Sequence, residues 1–487
     1  MDRFAHIPNE ILAEIFVLCL PQVKYQSFDP HKAPILLTHI CSSWRRFALD
    51  IPQLWKSLSL VASSFLSINT ARPRFEERFL SWAESSKNQP LDLKIALLAP
   101  LVEGRRGNWD PFYWELLLMR VFDVGTDRLR KLYLNLEESS EDVDHPLFHL
   151  RGECFSLLET LHLRFTLPAA DDSKIRLFAV TPELQKVILD LDPCYIVQCR
   201  LDLPWSRMTH LILVKHQPDA VFKFVIQNCR ILESLQIKLF GGHPPRSWSE
   251  QTTKHHLRHL HIICSGYVTP DIFLGISMPN LRTLSLQSDT DYPERSFHWL
   301  SGTGKAAHDH LFSQLGKLRS LSLGYQTIQS TLLTELLLHA SAINELALDV
   351  KLDSYPAFLE ALTYSSQDLQ ISIVPVLQIL KLYVEFPPED GPSDPGHPFT
   401  NSQFISMLRS RGKLILEDTT SDGYEVVPCP LEEVFFCAED SGEHHCAFDV
   451  GTLRQGVMDW PELSHIAFEF TISDDKCNWM STEVETW

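Results

Sequence analysis

The side chains in this sequence best suited to chemistry fall in a few short stretches. Cys429, Cys437, His444, His445 and Cys446 bring together thiolates and imidazoles, the usual ligands of zinc. Their spacing fits no closed zinc motif and no paired Cys-x-x-Cys elements accompany them, so they read as scattered structural residues of a loop. Residues 254–261, Lys-His-His-Leu-Arg-His-Leu-His, are rich in imidazole, but Leu257 and Leu260 place them on a strand pattern. Exposed histidines beside buried leucines account for that run. Gly302-Thr303-Gly304-Lys305 has the outline of a phosphate loop, yet Trp299 stands where a Walker sequence needs glycine and Ala306 where it needs Ser or Thr. No His-Glu-x-x-His or Gly-x-Ser-x-Gly occurs, and the carboxylates of residues 137–144 form a charge run without a paired apolar pocket. The expectation is therefore no catalytic centre, no metal site and no cofactor.

The elements that carry these residues follow a repeat. Apolar triplets of the form L-x-x-L-x-L begin at Leu129, Leu158, Leu184, Met208, Leu232, Leu257 and Leu281, with spacings of 24–29 residues. That period lies in the range of about 20–29 that marks leucine-rich repeats. It continues less regularly at Leu318, Ile343, Leu377, Leu431 and Leu463, the last as Leu463-Ile466-Phe468. Between the triplets, residues 219–229, 331–340, 356–364 and 401–411 show apolar spacings of three and four, so strand and helix alternate. The fold class expected is α/β: a degenerate leucine-rich-repeat βα solenoid, a horseshoe with its parallel sheet on the concave face. The asparagine or cysteine that completes such repeats is mostly missing, with Glu137, Asp192 and Asp289 in equivalent places.

Alternation sends the residues between the strand leucines to the concave face. The candidate partner-binding residues are therefore Tyr133, His162, Arg164, Gln236, Lys238, His261, Gln287, Lys381 and Tyr383. For any one of them the plain alternative is solvated strand surface.

A chain of 487 residues is too long for one compact core, which an elongated array explains. Its formal charge of −19 opposes sequence-independent nucleic-acid binding, since a phosphate backbone is held by clustered cations. No apolar run approaches the roughly 20 residues of a membrane span, and the first residues carry no leader pattern. Eleven scattered cysteines and the absence of any Asn-x-Ser/Thr acceptor fit an intracellular, reducing compartment, cytoplasm or nucleus.

The N-terminus is of another kind. Apolar residues at 7, 11, 12, 15, 16 and 19 have helical spacing, with Pro8 at the helix start and Glu10 and Glu14 near the positive end of its dipole. After Pro34, the residues Leu36, Leu37, Ile40, Cys41 and Trp44 share a second helical face, and Ile51-Pro52-Gln53-Leu54-Trp55 ends the region. So small and apolar a unit must dock on its own chain or on a partner.

Ile7-Pro8-x-Glu10-Ile11-Leu12, Ile40-Cys41-x-x-Trp44-Arg45 and Pro52-x-Leu54-Trp55 together resemble the F-box motif, and the resemblance covers roughly residues 5–56. Ile7 stands where leucine is more usual, and residues 23–32 lengthen the first connection. The resemblance implies three helices that bind the Skp-type adaptor of a cullin-based SCF ubiquitin ligase, while the repeats hold an unidentified target protein. Carried over by position, Ile7, Pro8, Ile11, Leu12, Ile15, Cys41 and Trp44 form the adaptor contact or the small core behind it. The organisation expected is a module at 1–56, a connecting cap at 57–128, repeats over 129–470 with a loop near 385–400, and a tail at 471–487. The function expected is substrate recognition without catalysis. The alternative is a repeat scaffold that uses the module for adaptor binding or self-capping without ubiquitination.

Overall fold

The computed structural model describes residues 7–63, 68–98, 118–136 except 124, 155–165, 174–241 except 199, 252–288 except 267, 305–363 except 353, 373–385, 400–412, 431–439, 453, 455, 457, 463 and 465–473. The acidic run 137–144, Gly302 and Gly304, Cys429, His444, His445 and Cys446, most of the loop near 385–400 and the tail beyond 473 lie outside the described residues. The chain divides into two compact units, Met1–Leu232 and Glu233–Trp487.

The first unit opens with helices α1 (Asn9–Leu18), α2 (Ile35–Ile40) and α3 (Ser42–Asp50), followed by a 3-10 turn at Pro52–Trp55. The pattern after Pro34 reads as one continuous face, but the chain breaks at Cys41, which is extended at φ −157° and ψ 168°. Its Sγ accepts the Trp44 N–H at 3.4 Å and gives α3 a cap of its own. The break dissolves the shared face: Leu37 is buried, whereas Leu36 and Ile40 are exposed.

Six parallel strands follow: β1 (Ser57–Ser63), β2 (Leu91–Leu98), β3 (Leu129–Leu136), β4 (Thr160–Phe165), β5 (Lys186–Asp190) and β6 (His210–Gln217), with helix α4 (Ile68–Ser85) between the first two. Each strand pairs with the next in sequence. The register aligns Leu58, Leu93, Leu132, Leu161, Val187 and Leu211 in one row. Leu60, Ile95, Leu134, Leu163, Leu189 and Leu213 form the row beside it, and all twelve are buried. Each such side chain contributes roughly 2 kcal/mol, and the neighbouring strand supplies part of the surface that covers it. Behind the sheet, Phe122, Phe155 and Phe178 continue the stack with ring centroids 5.5 and 5.6 Å apart. Where an asparagine ladder is missing, the buried Gln217 donates from Nε2 to the Leu191 and Lys215 carbonyls at 3.3 and 3.1 Å and ties one turn to the last.

The second unit repeats the arrangement with eight parallel strands: β7 (Ser234–Gly241), β9 (His259–Gly266), β11 (Thr283–Ser288), β12 (Ser320–Ile328), β13 (Glu345–Leu352), β14 (Ile379–Glu385), β15 (Glu433–Glu439) and β16 (Ala467–Ser473). A separate pair joins β8 (Thr252–Thr253) to β10 (Ile276–Ser277). The expected helices occur within two residues of their pattern bounds, at Asp219–Asn228 in the first unit and at Ser330–His339, Tyr355–Leu362 and Asn401–Ser410 in the second. Their starts are specified locally. Ser354 accepts the Ala357 N–H, and Thr400 and Gln403 form a reciprocal capping box.

The last strand departs from the pattern. Leu463-Ile466-Phe468 predicts Ile466 opposite Val434 and Phe468 opposite Phe436, but Phe468 pairs with Val434 and Phe470 with Phe436. A shift of two residues keeps every side chain on its own face, so alternation cannot distinguish the two registers.

Arg411 is fully buried, and among the described residues no carboxylate pairs with it. Its guanidinium donates to the carbonyls of Leu362, Val374 and Ile373 at 2.7, 3.0 and 2.7 Å, while burial lowers its pKa to about 10. Those bonds fasten helix Asn401–Ser410 to the chain before β14. Apart from the separate β8–β10 pair, each strand of a unit lies beside the next strand in sequence, a solenoid-like α/β arrangement.

Candidate functional site

Two kinds of surface in the first unit arise from how its buried rows are completed. In the helical segment, Phe16 lies 4.8 Å from the Trp44 ring and 5.5 Å from Phe47. With Leu12, Leu37, Ala48, Leu54 and Trp55 these residues make a small core. A second apolar stripe is left outside it. Ile11, Ile15 and Leu18, at i, i+4 and i+7 of α1, are 48%, 41% and 83% exposed, and Leu36 and Ile40 of α2 are exposed too.

The seven residues expected at an adaptor contact therefore divide. Pro8, Ile11, Ile15 and Cys41 are exposed, Ile7 and Trp44 are half-buried, and Leu12 is in the core. Leu18, Leu36 and Ile40 were not among them. The i, i+4 spacing of Leu36 and Ile40 is the signal that could have found them, once the chain is broken at Cys41.

The helical segment is built into the sheet. The Ser59 N–H of β1 donates to the Gln26 carbonyl at 2.6 Å, so the long α1–α2 connection covers the edge strand. Phe28, farther along that connection, meets Trp82 of α4 edge to face at 5.4 Å.

The second surface is the polar side of the strands. In the first unit, one ladder row runs Ser59, Lys94, Tyr133, His162, Ile188, Ile212, and Arg164 lies in the next row beside Asn135 and Asp190. Tyr133 and His162 meet edge to face at 4.3 Å, and the Lys94 Nζ lies 4.9 Å over the Tyr133 ring. Burial, aided by the charges of Lys24, Arg164 and Lys94, pushes His162 down to about 4 and keeps it neutral near pH 7. Burial, with the charge of Asp92 and the neighbouring Tyr133, pushes the Tyr25 hydroxyl up to about 12. Lys24 and Tyr25 come from the α1–α2 connection, and no strand periodicity could have placed them here.

In the second unit, Gln236, His261, Ser285, Ser322, Ala347, Lys381 and Phe435 share a row. Gln287 and Tyr383 lie in the row beside it, and Lys238 is on β7 next to Gln236. The nine residues expected on a concave face stand at strand positions that alternate with the buried rows, in separate groups, and two of them, Gln287 and Tyr383, are themselves buried. His261 bonds Gln287, and burial pulls its ring down to about 4 against that bond. Its Nε2 is shielded from solvent and has no hydrogen-bond partner among the described residues. Lys381 and Tyr383 stand three strands beyond Gln287, about 14 Å away. There Lys381 pairs with Glu345 at 2.8 Å and lies 5.6 Å from the Phe435 ring centre.

No protein-family model matches this chain, and no curated protein matches it. What the arrangement offers is therefore read from its own residues. Among the described residues no three His, Cys, Asp or Glu side chains converge as a metal-binding group, and no helix is long and apolar enough to cross a membrane. His255, His256 and His259 are exposed beside the buried Leu257 and Leu260.

Proposed function

We propose that the chain is the substrate-recognition subunit of an SCF-type ubiquitin ligase, an F-box protein whose N-terminal helices dock on a Skp-type adaptor while leucine-rich-repeat strands hold a target protein. The observation that carries this reading is the stripe of Ile11, Ile15 and Leu18 on a helix that already buries Leu12 and Phe16 in a core. A helix needs one apolar face to fold, and a second face left in water marks a docking surface. The motif resemblance at Ile7-Pro8, Cys41-x-x-Trp44 and Pro52-x-Leu54-Trp55 names the partner for that surface.

In this reading the chain makes and breaks no covalent bond. It raises the effective concentration of target lysines near a ubiquitin-conjugating enzyme recruited through the cullin. The work is that of a cytoplasmic or nuclear protein.

The experiment is co-expression of the full chain with a Skp-type adaptor and a cullin, followed by affinity purification. Recovery of both supports the ligase reading. Adaptor without cullin supports a scaffold that borrows only the adaptor, and recovery of neither overturns both.

A further inference from the structure

Although the chain carries a formal charge of −19, the polar side of β2–β4 is locally basic. Lys94, Lys131 and Arg164 rise from three successive strands, and Arg130 stands beside Lys131. The α1–α2 connection, held to β1 by the bond from the Ser59 N–H to the Gln26 carbonyl, brings Lys24 to the same side, where burial and the charges of Lys131 and Lys94 lower its pKa against the pull of Asp92. Among the described residues, the acids that answer these cations include Asp92, Asp190 and Glu159.

The acids sit deeper than the cations. Asp92 and Asp190 are 12% and 15% exposed, whereas Arg130, Lys131 and Arg164 are 34%, 34% and 48% exposed. Asp92 is shared, accepting two bonds from Arg130 at 3.0 and 2.8 Å while Lys131 stands 3.9 Å away. A carboxylate beneath two cations orients them and leaves a positive outer layer. Amid those cations the edge-to-face Tyr133 and His162 rings form a shelf.

We propose that this surface, formed by β2–β4 and the α1–α2 connection together, seats an acidic peptide segment of the partner protein. The inference rests on the recognition role proposed above and gives the chemistry of one part of the target. Carboxylates of such a segment meet Lys24, Lys94, Lys131 and Arg164, and an apolar residue between them lies on the Tyr133–His162 shelf. A peptide is favoured over a nucleic acid because the overall negative charge opposes a long polyphosphate, whereas a short acidic segment meets only the local field.

The test uses the full chain and a fluorescein-labelled peptide of alternating glutamate and leucine, followed by fluorescence anisotropy. The probe is expected to bind and to weaken as salt rises from about 0.1 to about 1 M, which shortens the Debye length from about 10 to about 3 Å. Lys94→Glu with Lys131→Glu is expected to weaken binding about tenfold or more, while Lys94→Arg with Lys131→Arg keeps it. Lys317→Glu, a reversal in the second unit, is expected to change nothing. If the glutamate pair fails to fold, Lys94→Gln with Lys131→Gln gives the same reading with a smaller loss. No binding by the unaltered chain, equal binding of the glutamine–leucine peptide, tighter binding of a single-stranded oligonucleotide, or indifference to the reversals would overturn the proposal. Adaptor recovery is measured on the same preparations. Peptide binding without adaptor overturns the ligase reading and leaves the acidic-peptide seat standing, and adaptor without peptide does the converse.

Discussion

The indole N–H of Trp82 donates to the backbone carbonyl of Trp55 at 2.7 Å, and the two rings meet edge to face with centroids 4.8 Å apart. Trp55 in turn donates from its own indole to the Ala48 carbonyl at 2.9 Å. The chain of contacts runs from α3 through the Pro52–Trp55 turn to α4, with both indoles buried. The helical segment and the start of the sheet region therefore pack together.

Replacing Trp82 tests that coupling. Trp82→Ala removes a buried ring and leaves the Trp55 carbonyl without its donor, a loss of about 3–5 kcal/mol. Chemical denaturation is expected to show it as a lower midpoint, and limited proteolysis as early cleavage between the helical segment and β2. A midpoint within error of the unaltered protein would mean that the segment is not built into the sheet.

Arg411→Met is expected to be as damaging although it adds an apolar side chain to an apolar site. It strands three buried carbonyls, each costing about 1–3 kcal/mol. A thermal melt is the check, and a melting temperature equal to that of the unaltered chain would show that other donors replace the guanidinium.

The buried histidines give stability a pH dependence. His162 and His261 titrate near 4 when folded and near 6.5 when exposed, so the unfolded chain binds protons first as pH falls. Their contribution is present above about pH 6.5 and is lost as pH drops toward 4. Asp219 acts with the opposite sign, because burial raises its pKa to about 6 and its proton favours the folded state. His162→Gln with His261→Gln is expected to flatten the fall in denaturation midpoint between pH 6.5 and 4, and Asp219→Asn to steepen it. An unchanged slope in the histidine pair would show that neither ring is desolvated.

Much of this was legible in the sequence for a physical reason. A leucine every 24–29 residues must find a leucine on the next strand, so Leu132, Leu161 and Val187 could be aligned without coordinates. β1 was not assigned, although Ser57-Leu58-Ser59-Leu60 alternates as a half-buried strand should. The register of Phe468 was illegible because a two-residue slip preserves its face. Lys24, Tyr25 and Arg411 were illegible for a different reason. Their partners lie tens of residues away, and nothing in local periodicity records a contact of that kind. In α1, periodicity found the apolar residues and could not divide them. Only the packing of Phe16 on Trp44 shows that Leu12 turns inward and Ile11 outward.

That division gives the most direct measurement: calorimetric titration of a purified Skp-type adaptor into the full chain and into Ile11→Asp with Ile15→Asp. Both positions are exposed, so the pair is expected to leave the melting temperature nearly unchanged, as surface substitutions do. Two carboxylates forced into an apolar interface are expected to weaken adaptor binding about a hundredfold or abolish it. Tight binding to the unaltered chain that disappears in the pair is the predicted result. Undiminished binding in the pair, or none by the unaltered chain, would contradict the account.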